Sequence, residues 1–448
     1  MSEPIFPANF VWGAATSAYQ IEGSPLADGS GASIWHRFAH TPGRIAGGDH
    51  GDVACDHYRR FADDIRLMQD LGIESYRFSI SWSRVLPDGT GQLNAGGLDF
   101  YTRLVDMLLE HDIRPFATLY HWDLPAALED RGGWAHPDAP SRFADYSRLM
   151  FRELGDRVPM WATINEPWVI MDLGYVSGLH APGRQDRAEA AAVSHNLLRA
   201  HAAAVAAYRA ECDRQIGLVV NLVPIQPASD LEADRSAARR MDAYLNRHFL
   251  DPALLGKFPE ELPEMFGADW PTMSTDELHR IRAPIDFLGI NYYLRLVVAD
   301  DPCGGPPRAR IVTSPNCPRT GLGWEIYPEG LTDILLWVRE HYGELPLYVT
   351  ENGAAFEDRI QPNGSINDLS RVEYLKSHLL AAGAALKAGV NLQGYFVWSL
   401  LDNFEWQHGY SQRFGIIHVD FATQRRTPKA SARFYADVIR SRGAVLKG

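Results

Sequence analysis

Cysteine is scarce in this 448-residue sequence, and no two cysteines form a C-x-x-C pair. The four thiols belong to Cys55, Cys212, Cys303 and Cys317. Such scattered positions favour neither a disulfide framework nor a zinc knuckle. Cys303 and Cys317 share one loop-like segment, yet two reduced thiols are the simpler interpretation.

Long apolar runs are absent as well. A membrane-spanning helix needs about 20 apolar residues, and the alanine-rich segment 195–210 is interrupted by arginine and histidine. Near the N-terminus, Glu3 and Pro4 stand where a secretory signal carries basic residues and then an apolar run. We therefore predict no membrane partner and a cytoplasmic location.

Positive charge is in deficit, because 43 lysines and arginines face 56 acidic residues, a net charge of −13. An acidic surface repels nucleic-acid phosphates and anionic lipid, so both are poor partners. The hydrophobic share of 46% is enough for a large core and argues against disorder.

Cofactor signals are weak too. The glycines form no G-x-G-x-x-G that opens a helix, so a dinucleotide site is unsupported. His195 and His201 fall on one alanine-rich helix, but a six-residue spacing does not place both on one face as an H-E-x-x-H motif does. We expect neither a cofactor nor a metal.

What the sequence does contain is a repeated alternation of strand-like runs with amphipathic helical stretches. The eight predicted strands cover 10–15, 75–79, 115–120, 161–165, 216–221, 287–291, 347–351 and 392–398. The clearest predicted helices cover 58–71, 100–110, 142–154, 331–341, 372–386 and 433–439. Parallel neighbours need helical crossovers, so this pattern predicts an α/β fold, a closed (β/α)8 TIM barrel.

The connections between predicted elements are unequal in length. Those leaving strands are long, as in 22–57, 292–328, 352–370 and 399–427, whereas those leaving helices are short. Long loops at the carboxyl ends of barrel strands build the active site of this architecture. Because no repeat or linker divides the chain, we predict a single catalytic domain over 1–448.

Two predicted strands end in a glutamate. The fourth ends in Asn165-Glu166-Pro167 and the seventh in Thr350-Glu351. In an eight-stranded ring these strands lie across the mouth from each other, so the two carboxyl groups can share one pocket. Glycoside hydrolysis needs such a pair, one acid to protonate the leaving oxygen and one carboxylate to attack the sugar. The alternative is that both are ordinary solvated loop glutamates.

Other strand-end residues fit this chemistry. Arg77 on the second strand can keep a carboxylate ionised, and Asn291 and Tyr293 close the sixth strand with a phenol that can hold a nucleophile. Gln20 and His121 supply neutral hydrogen-bonding groups near the ends of the first and third strands. Tryptophans that can stack on sugar faces fall in the same segments, namely Trp122, Trp168, Trp324, Trp398 and Trp406.

These motifs resemble those of glycoside hydrolase family 1, the β-glucosidase family, over essentially the whole chain. The matching segments are 10–20, 76–82, 121–125, 165–167, 291–293, 350–353 and 398–406. The resemblance implies that Glu166 is the general acid/base and Glu351 the nucleophile. It further implies sugar-hydroxyl contacts from Gln20, His121, Asn165, Glu405 and Trp406.

The resemblance also implies which residues surround the sugar. Trp398 would form the stacking floor and Phe414 would lie beside the sugar's 6-position, with Trp168 and Trp324 on the leaving-group side. The implied reaction is the retaining hydrolysis of terminal, non-reducing β-D-glucosyl residues from a small β-glucoside or oligosaccharide. β-Galactosides and β-fucosides are further expected substrates.

Related activities can be distinguished on single residues. The 6-phospho-β-glycosidases carry a small hydroxyl residue at the position of Glu405, whose carboxylate would repel a phosphate. The myrosinases lack the acid that Glu166 supplies here. A catalytically silent sugar-binding barrel would be expected to lose one glutamate. The alternative for Glu405 is a structural salt bridge with one of the arginines that follow it, Arg413, Arg425 or Arg426.

Overall fold

A closed barrel of eight parallel strands forms the centre of the protein. The computed structural model describes residues 3–447. The barrel strands are β1 (Val11–Ala15), β2 (Ser75–Ser79), β3 (Arg114–Tyr120), β4 (Met160–Asn165), β5 (Gln215–Asn221), β6 (Phe287–Asn291), β7 (Leu347–Asn352) and β8 (Leu392–Trp398). Each strand pairs with its sequence neighbours, and β1 closes the ring against β8. The predicted (β/α)8 barrel is confirmed.

Helices surround the barrel and return the chain between parallel strands. The longer ones are α1 (His57–Asp70), α2 (Ala95–Glu110), α3 (Ala139–Leu154), α4 (Arg187–Glu211), α5 (Glu232–Asp242), α6 (Glu329–Tyr342), α7 (Leu369–Lys387) and α8 (Ala430–Ser441). Shorter α-helical segments are Ala18–Ile21, Ile34–Ala39, Trp82–Val85, Ala126–Glu129, Pro167–Met171, His248–Leu250, Glu261–Phe266 and Thr275–Ile281. Within residues 3–447, no helix combines the length and apolar character needed to cross a bilayer.

Two small sheets lie in the loops outside the barrel. One has three strands, Ile225–Pro227, Leu296–Asp300 and Ala309–Ile311. The other is an antiparallel pair, Ile417–Asp420 with Arg425–Pro428. Apart from Ile225–Pro227, these strands lie in, or at the end of, segments that the sequence indicated only as long connections. Each has three to five residues, which is short for a clear period.

The observed strands match the predicted ones to within one residue at each end. The structure extends the third, fourth and fifth strands by one residue at their N-terminal ends. Several helices begin two to five residues earlier than predicted, as α2 does at Ala95 instead of 100. The reason is local, since Ala95-Gly96-Gly97 carries no large side chain to reveal a helical period.

Aromatic rings fill the inside of the barrel. Phe116, Phe287 and Phe396 are fully buried, and the ring of Phe116 meets each of the other two edge-on at 5.5 Å between centroids. We call these three rings the aromatic plug. Gly13 faces it, and a Cβ at that position would lie 2.2 Å from the Phe396 ring. The plug closes the barrel beneath its carboxyl end, so that a pocket can form only above it.

A buried charge network ties together the loops that follow β7 and β8. Lys429 Nζ lies 2.5 Å from Asp358 Oδ2 and 2.7 Å from Asp402 Oδ1, and all three side chains are fully buried. Arg371 pairs with Asp358 at 2.9 Å, and Arg413 pairs with Asp402 at 2.7 Å. The network fixes the segment from Asp402 onward, which borders the pocket described below.

Replacing Lys429 with methionine should lower the free energy of unfolding by roughly 3–5 kcal/mol, because two buried carboxylates lose their shared cation. Chemical denaturation of both proteins measures this difference. Lys387→Met, which removes an exposed lysine at the end of α7, is the matched control and should change stability by less than about 0.5 kcal/mol. Equal stability of the Lys429 variant and the wild type would contradict the assigned role of the network.

Candidate active site

Glu166 follows the last residue of β4 and holds an unusual backbone conformation. Its φ of 50° and ψ of 65° lie in the left-handed region, which non-glycine residues rarely adopt. Pro167 then begins a short helix at its first position, where a proline costs no hydrogen bond. Strained backbone persists where the surroundings hold it and is frequent at functional sites. The Glu166 side chain is buried within the barrel mouth.

Glu351 lies on β7, one residue before the strand ends. Gly353 packs directly on the backbone of Trp398, so closely that a Cβ there would lie 1.6 Å from the Trp398 carbonyl oxygen. Only glycine permits this approach. It brings the ends of β7 and β8 together and sets Glu351 beside the tryptophan that ends β8.

An arginine and a tyrosine hold the carboxylate of Glu351. Arg77 Nη1 donates to Glu351 Oε1 at 2.6 Å, and Tyr293 OH donates to Glu351 Oε2 at 2.6 Å. Both glutamate oxygens are therefore engaged, each by a different donor. The Arg77 side chain is 1% exposed and that of Glu351 4%, so water does not screen the ion pair.

Asn291 links Glu166 to Thr350, the residue that precedes Glu351 on β7. Its Oδ1 accepts from Thr350 Oγ1 at 2.7 Å, which turns its amide nitrogen the other way. That nitrogen donates to Glu166 Oε1 at 2.6 Å and to Asn165 Oδ1 at 3.1 Å. The amide thus orients Glu166 without supplying a charge.

Asn165 lies behind the pocket wall and orients His121. Arg77 Nη2 donates to Asn165 Oδ1 at 2.7 Å, so the Asn165 amide nitrogen faces His121 Nε2 at 3.1 Å. Burial, together with the charge of Arg77, lowers the pKa of His121 well below its usual value. His121 is therefore neutral with Nε2 as acceptor, which leaves the proton on Nδ1, a buried atom with no partner in residues 3–447.

Aromatic side chains form the walls of the pocket. Trp324, Tyr293 and Phe414 contact one another at 5.4–6.3 Å between ring centroids. On the other side, Trp122 packs on Trp406 at 4.6 Å. Trp122 donates its indole N–H to the Asn165 carbonyl oxygen at 2.9 Å, so it offers a bound ligand its ring surface only.

Glu405 enters the pocket from the loop after β8. Gln20 Nε2 lies 3.4 Å from Glu405 Oε2 and donates to the Phe404 carbonyl oxygen at 3.0 Å. The arginines that could have neutralised Glu405 pair elsewhere, since Arg413 contacts Asp402 and Arg426 contacts Asp64. Among residues 3–447 no ion pair involving Glu405 occurs, which removes the salt-bridge interpretation of this residue.

Twelve of the fifteen predicted site residues line one cavity of about 290 Å³, namely His121, Trp122, Glu166, Trp168, Asn291, Tyr293, Trp324, Glu351, Trp398, Glu405, Trp406 and Phe414. The other three, Gln20, Arg77 and Asn165, are buried behind this lining and contact it through hydrogen bonds. The structure thus brings the whole predicted set together.

The cavity also has lining residues that the sequence analysis missed, mostly on its outer side: Val169, Leu173, His180, Asn221, Leu222, Val223, Leu245, Leu294, Leu296, Leu322, Gln407 and His408. Asn221 ends β5, so the strand-end rule could have found it and its neighbours. The leucines carry no chemical signal, since an apolar loop residue is more often core than pocket.

Burial and mutual repulsion raise the pKa values of the acidic groups. Burial, then the charge of Glu351, raises the pKa of Glu166 to about 8. Burial also raises the pKa of Glu351, but Arg77 and Tyr293 oppose the shift. Because only Glu351 has a cationic partner in contact, it releases its proton first. Burial and the Glu351 charge raise the pKa of Glu405 to about 8. Near neutral pH the site therefore pairs the Glu351 carboxylate with the Glu166 carboxylic acid, and Glu405 is protonated as well.

A barrel with such a pair is the architecture of a glycosidase, and comparison with known proteins agrees. The family model for glycosyl hydrolase family 1 matches residues 2–444. β-Glucosidase A of Thermotoga maritima is 50% identical over 440 residues, covering 98% of each protein. A β-glucosidase of Agrobacterium sp. is 42% identical, covering 96% of this chain and 94% of its own. The chain belongs to glycosyl hydrolase family 1.

Solved structures of relatives superimpose closely on this chain. A family 1 β-glucosidase of Thermotoga maritima matches with a TM-score of 0.96 at 49% identity, covering 98% of this chain and 99% of its own. The complex of a Thermotoga maritima β-glucosidase with glucoimidazole matches with a TM-score of 0.95 at 50% identity, with the same coverage. The similarity extends across barrel and loops alike.

The activity of this site should fall as the pH rises through about 8, because Glu166 then loses the proton that its raised pKa retains at lower pH. The measurement is a pH profile of kcat/KM with an aryl β-glucoside.

The variant Glu166→Gln separates the two acidic groups whose pKa values are raised to about 8. With a substrate whose leaving group departs readily, the kcat/KM of Glu166→Gln should no longer fall as the pH rises through about 8. If kcat/KM of Glu166→Gln still falls over the same pH range, the fall belongs to Glu405, and the role given to Glu166 is contradicted.

Proposed function

We propose that this chain is a retaining β-glucosidase, which removes terminal β-D-glucosyl residues from the non-reducing ends of small glucosides and oligosaccharides. The observation that carries the proposal is the pair Glu166 and Glu351 in one buried cavity, with unequal surroundings. Family membership supports the same reaction, and the matched relatives from Thermotoga maritima and Agrobacterium sp. are named β-glucosidases.

Glu351 acts as the nucleophile in this proposal. Its carboxylate attacks the anomeric carbon, and the bond to the leaving oxygen breaks as a glycosyl-enzyme ester forms. The ion pair with Arg77 keeps the attacking group ionised. The Tyr293 hydroxyl holds the second oxygen and so fixes the carboxylate plane.

Glu166 acts first as acid and then as base. Its raised pKa keeps a proton available for the departing glycosidic oxygen. Once Glu351 is esterified its negative charge is gone, and with it one cause of the raised pKa of Glu166. Glu166 then ionises more readily and can take a proton from the water that hydrolyses the ester.

The sugar is held by the neutral and acidic groups at the base of the cavity. His121 lines the cavity with a neutral imidazole, and Glu405 offers a carboxyl group that no arginine of residues 3–447 contacts as an ion pair. With its pKa raised to about 8, the Glu405 carboxyl group can accept a hydrogen bond from one sugar hydroxyl and donate one to another. A phosphate on the sugar would find no cation beside Glu405, because Arg413 and Arg426 pair with Asp402 and Asp64. An unphosphorylated hexose is therefore the proposed substrate.

Substrates other than glucosides are included in the proposal. One solved relative, a Thermotoga maritima β-glucosidase at 49% identity, is in complex with galacto-hydroximolactam. By analogy we include β-galactosides; β-fucosides stay a prediction from the sequence. So does the cytoplasmic location. The proposal treats the chain as one catalytic unit, supported by the pairing of β1 with β8 across nearly its full length.

The acid role of Glu166 can be tested by leaving-group dependence. Glu166→Ala should lower kcat/KM about 10²- to 10⁴-fold for poor leaving groups such as phenol or a second sugar. For 2,4-dinitrophenyl β-glucoside the loss should be small, because that leaving group departs without a proton. kcat/KM is the correct parameter, since it covers substrate binding and formation of the glycosyl-enzyme but excludes its later hydrolysis.

Glu260→Ala, which alters an exposed glutamate that does not line the cavity, is the matched control and should leave kcat/KM for both substrates unaffected. Equal losses on good and poor leaving groups would contradict an acid role for Glu166. A folded wild-type protein that hydrolyses none of these glucosides would overturn the proposed function itself.

A further inference from the structure

A cluster of histidines surrounds one aspartate outside the catalytic pocket. His36 lies in the helix Ile34–Ala39 and His40 directly follows it, whereas His50 and Asp52 belong to the next loop. All of them are partly exposed, with side-chain exposures between 16% and 44%. None lines the catalytic cavity.

The distances within this cluster resemble those of a metal site. His36 Nδ1 lies 3.5 Å from Asp52 Oδ1, and His40 Nε2 lies 3.1 Å from Asp52 Oδ2. One ligand atom from each of the three residues lies within 4.8 Å of the others. Tetrahedral Zn²⁺ with bonds of about 2.0–2.1 Å separates its ligands by roughly 3.4 Å. The His36–Asp52 and His40–Asp52 pairs thus already stand near this spacing, and the two histidines offer ring nitrogens within 4.8 Å of each other.

The hydrogen bonding of His40 also indicates a cation-binding site. Its Nδ1 lies 2.7 Å from the His36 carbonyl oxygen, which can only accept, so Nδ1 carries a proton. In a neutral ring Nε2 then carries a lone pair and no proton, and it faces the Asp52 carboxylate oxygen Oδ2 at 3.1 Å. Two electron-rich atoms at this distance require a cation between them, either a proton or a metal. Metal-bound histidines commonly donate their other N–H to a backbone carbonyl in this way.

A second pair of atoms in the cluster lacks any hydrogen-bond partner. His36 Nδ1 and Asp52 Oδ1 are both buried as atoms, and neither is hydrogen-bonded within residues 3–447. Unsatisfied buried polar atoms are costly, so a group that binds both is favoured. One ion coordinated by Nδ1, Nε2 and the carboxylate would satisfy His36, His40 and Asp52 together.

We propose that His36, His40 and Asp52 form a binding site for a divalent first-row transition metal. Two imidazole nitrogens and one carboxylate suit Zn²⁺, Co²⁺, Ni²⁺ or Cu²⁺ better than Mg²⁺ or Ca²⁺, which prefer oxygen. Water fills the remaining coordination position. His50, whose Nδ1 lies 3.4 Å from Asp52 Oδ2, stacks on the His40 ring at 4.7 Å and supports it from the solvent side.

The proposed site would brace one wall of the catalytic pocket. Trp35, beside His36, packs on Trp406 at 4.4 Å between ring centroids. The loop that contains His50 and Asp52 also contacts Tyr410 in the loop after β8. The Tyr410 hydroxyl donates to the His50 carbonyl oxygen at 2.8 Å. A metal would therefore cross-link two segments that both contact the loop carrying Trp406. Its role here is structural, and no catalytic step passes through it.

The test is a calorimetric titration of the metal-free full chain with Zn²⁺, in a buffer that does not chelate zinc. One Zn²⁺ should bind per chain, and His40→Gln and Asp52→Asn should each weaken binding at least tenfold. Saturation at about 100 times the Kd should raise the wild-type Tm by roughly 3 °C. Co²⁺ should give the intense visible absorption of a tetrahedral ion, and Zn²⁺ should displace it.

His279→Gln is the matched control, because His279 is an exposed helical histidine outside the cluster. It should bind Zn²⁺ as the wild type does. The proposal is overturned if wild-type protein binds no Zn²⁺, which would leave the cluster as a protonated histidine–carboxylate pair. It is equally overturned if Asp52→Asn and His40→Gln keep the wild-type affinity. The wild-type titration decides the matter even where a variant fails to fold.

Discussion

The active site depends on one buried ion pair, between Arg77 on β2 and Glu351 on β7. A buried carboxylate without a cation would take up a proton, and a buried arginine without a carboxylate would be strongly unfavourable. Each therefore needs the other in order to stay charged. Because Arg77 also donates to Asn165, the same guanidinium fixes the amide that orients His121. One cation thus sets both the charge of the proposed nucleophile and the orientation of the polar groups around the cavity.

The barrel supplies the geometry that this ion pair requires. Strands β2, β4, β6 and β7 end at the same rim, so side chains from distant parts of the sequence meet there. The aromatic plug below and the tryptophans around the rim surround the buried charges with apolar groups, and this low local polarity strengthens the charge interactions between them. The asymmetry between the two glutamates follows from this arrangement. Glu351 is paired with an arginine, whereas within residues 3–447 the Glu166 carboxyl group is hydrogen-bonded only by the neutral amide of Asn291.

Much of this arrangement could be predicted from the sequence. Apolar runs gave the strands to within a residue, and strand-end positions identified Glu166 and Glu351, because the fold places such residues in one pocket. What each polar group contacts could not be predicted. Arg77 and Asn165 are 88 residues apart, and only the folded ring reveals that they share a hydrogen bond.

Two parts of the molecule escaped prediction for different reasons. Leu173 and Leu245 line the outer cavity, but apolar loop residues resemble core residues until the surface is known. The cluster of His36, His40 and Asp52 had a sequence signal, since histidines four apart share one helix face. It was missed because Asp52 follows twelve residues later in a glycine-rich loop whose path no periodicity reveals.

The central claim is that Glu351 forms a covalent bond to the sugar. It is tested most directly by incubation with 2-deoxy-2-fluoro-β-D-glucosyl fluoride, followed by peptide mass spectrometry. Fluorine at carbon 2 slows both steps by destabilising their positively charged transition states, while the fluoride leaving group lets the first step proceed. The account predicts one fluoroglucosyl group per chain, attached to the peptide that contains Glu351. A label on Glu166 or Glu405, or turnover with inversion and no label, would contradict it.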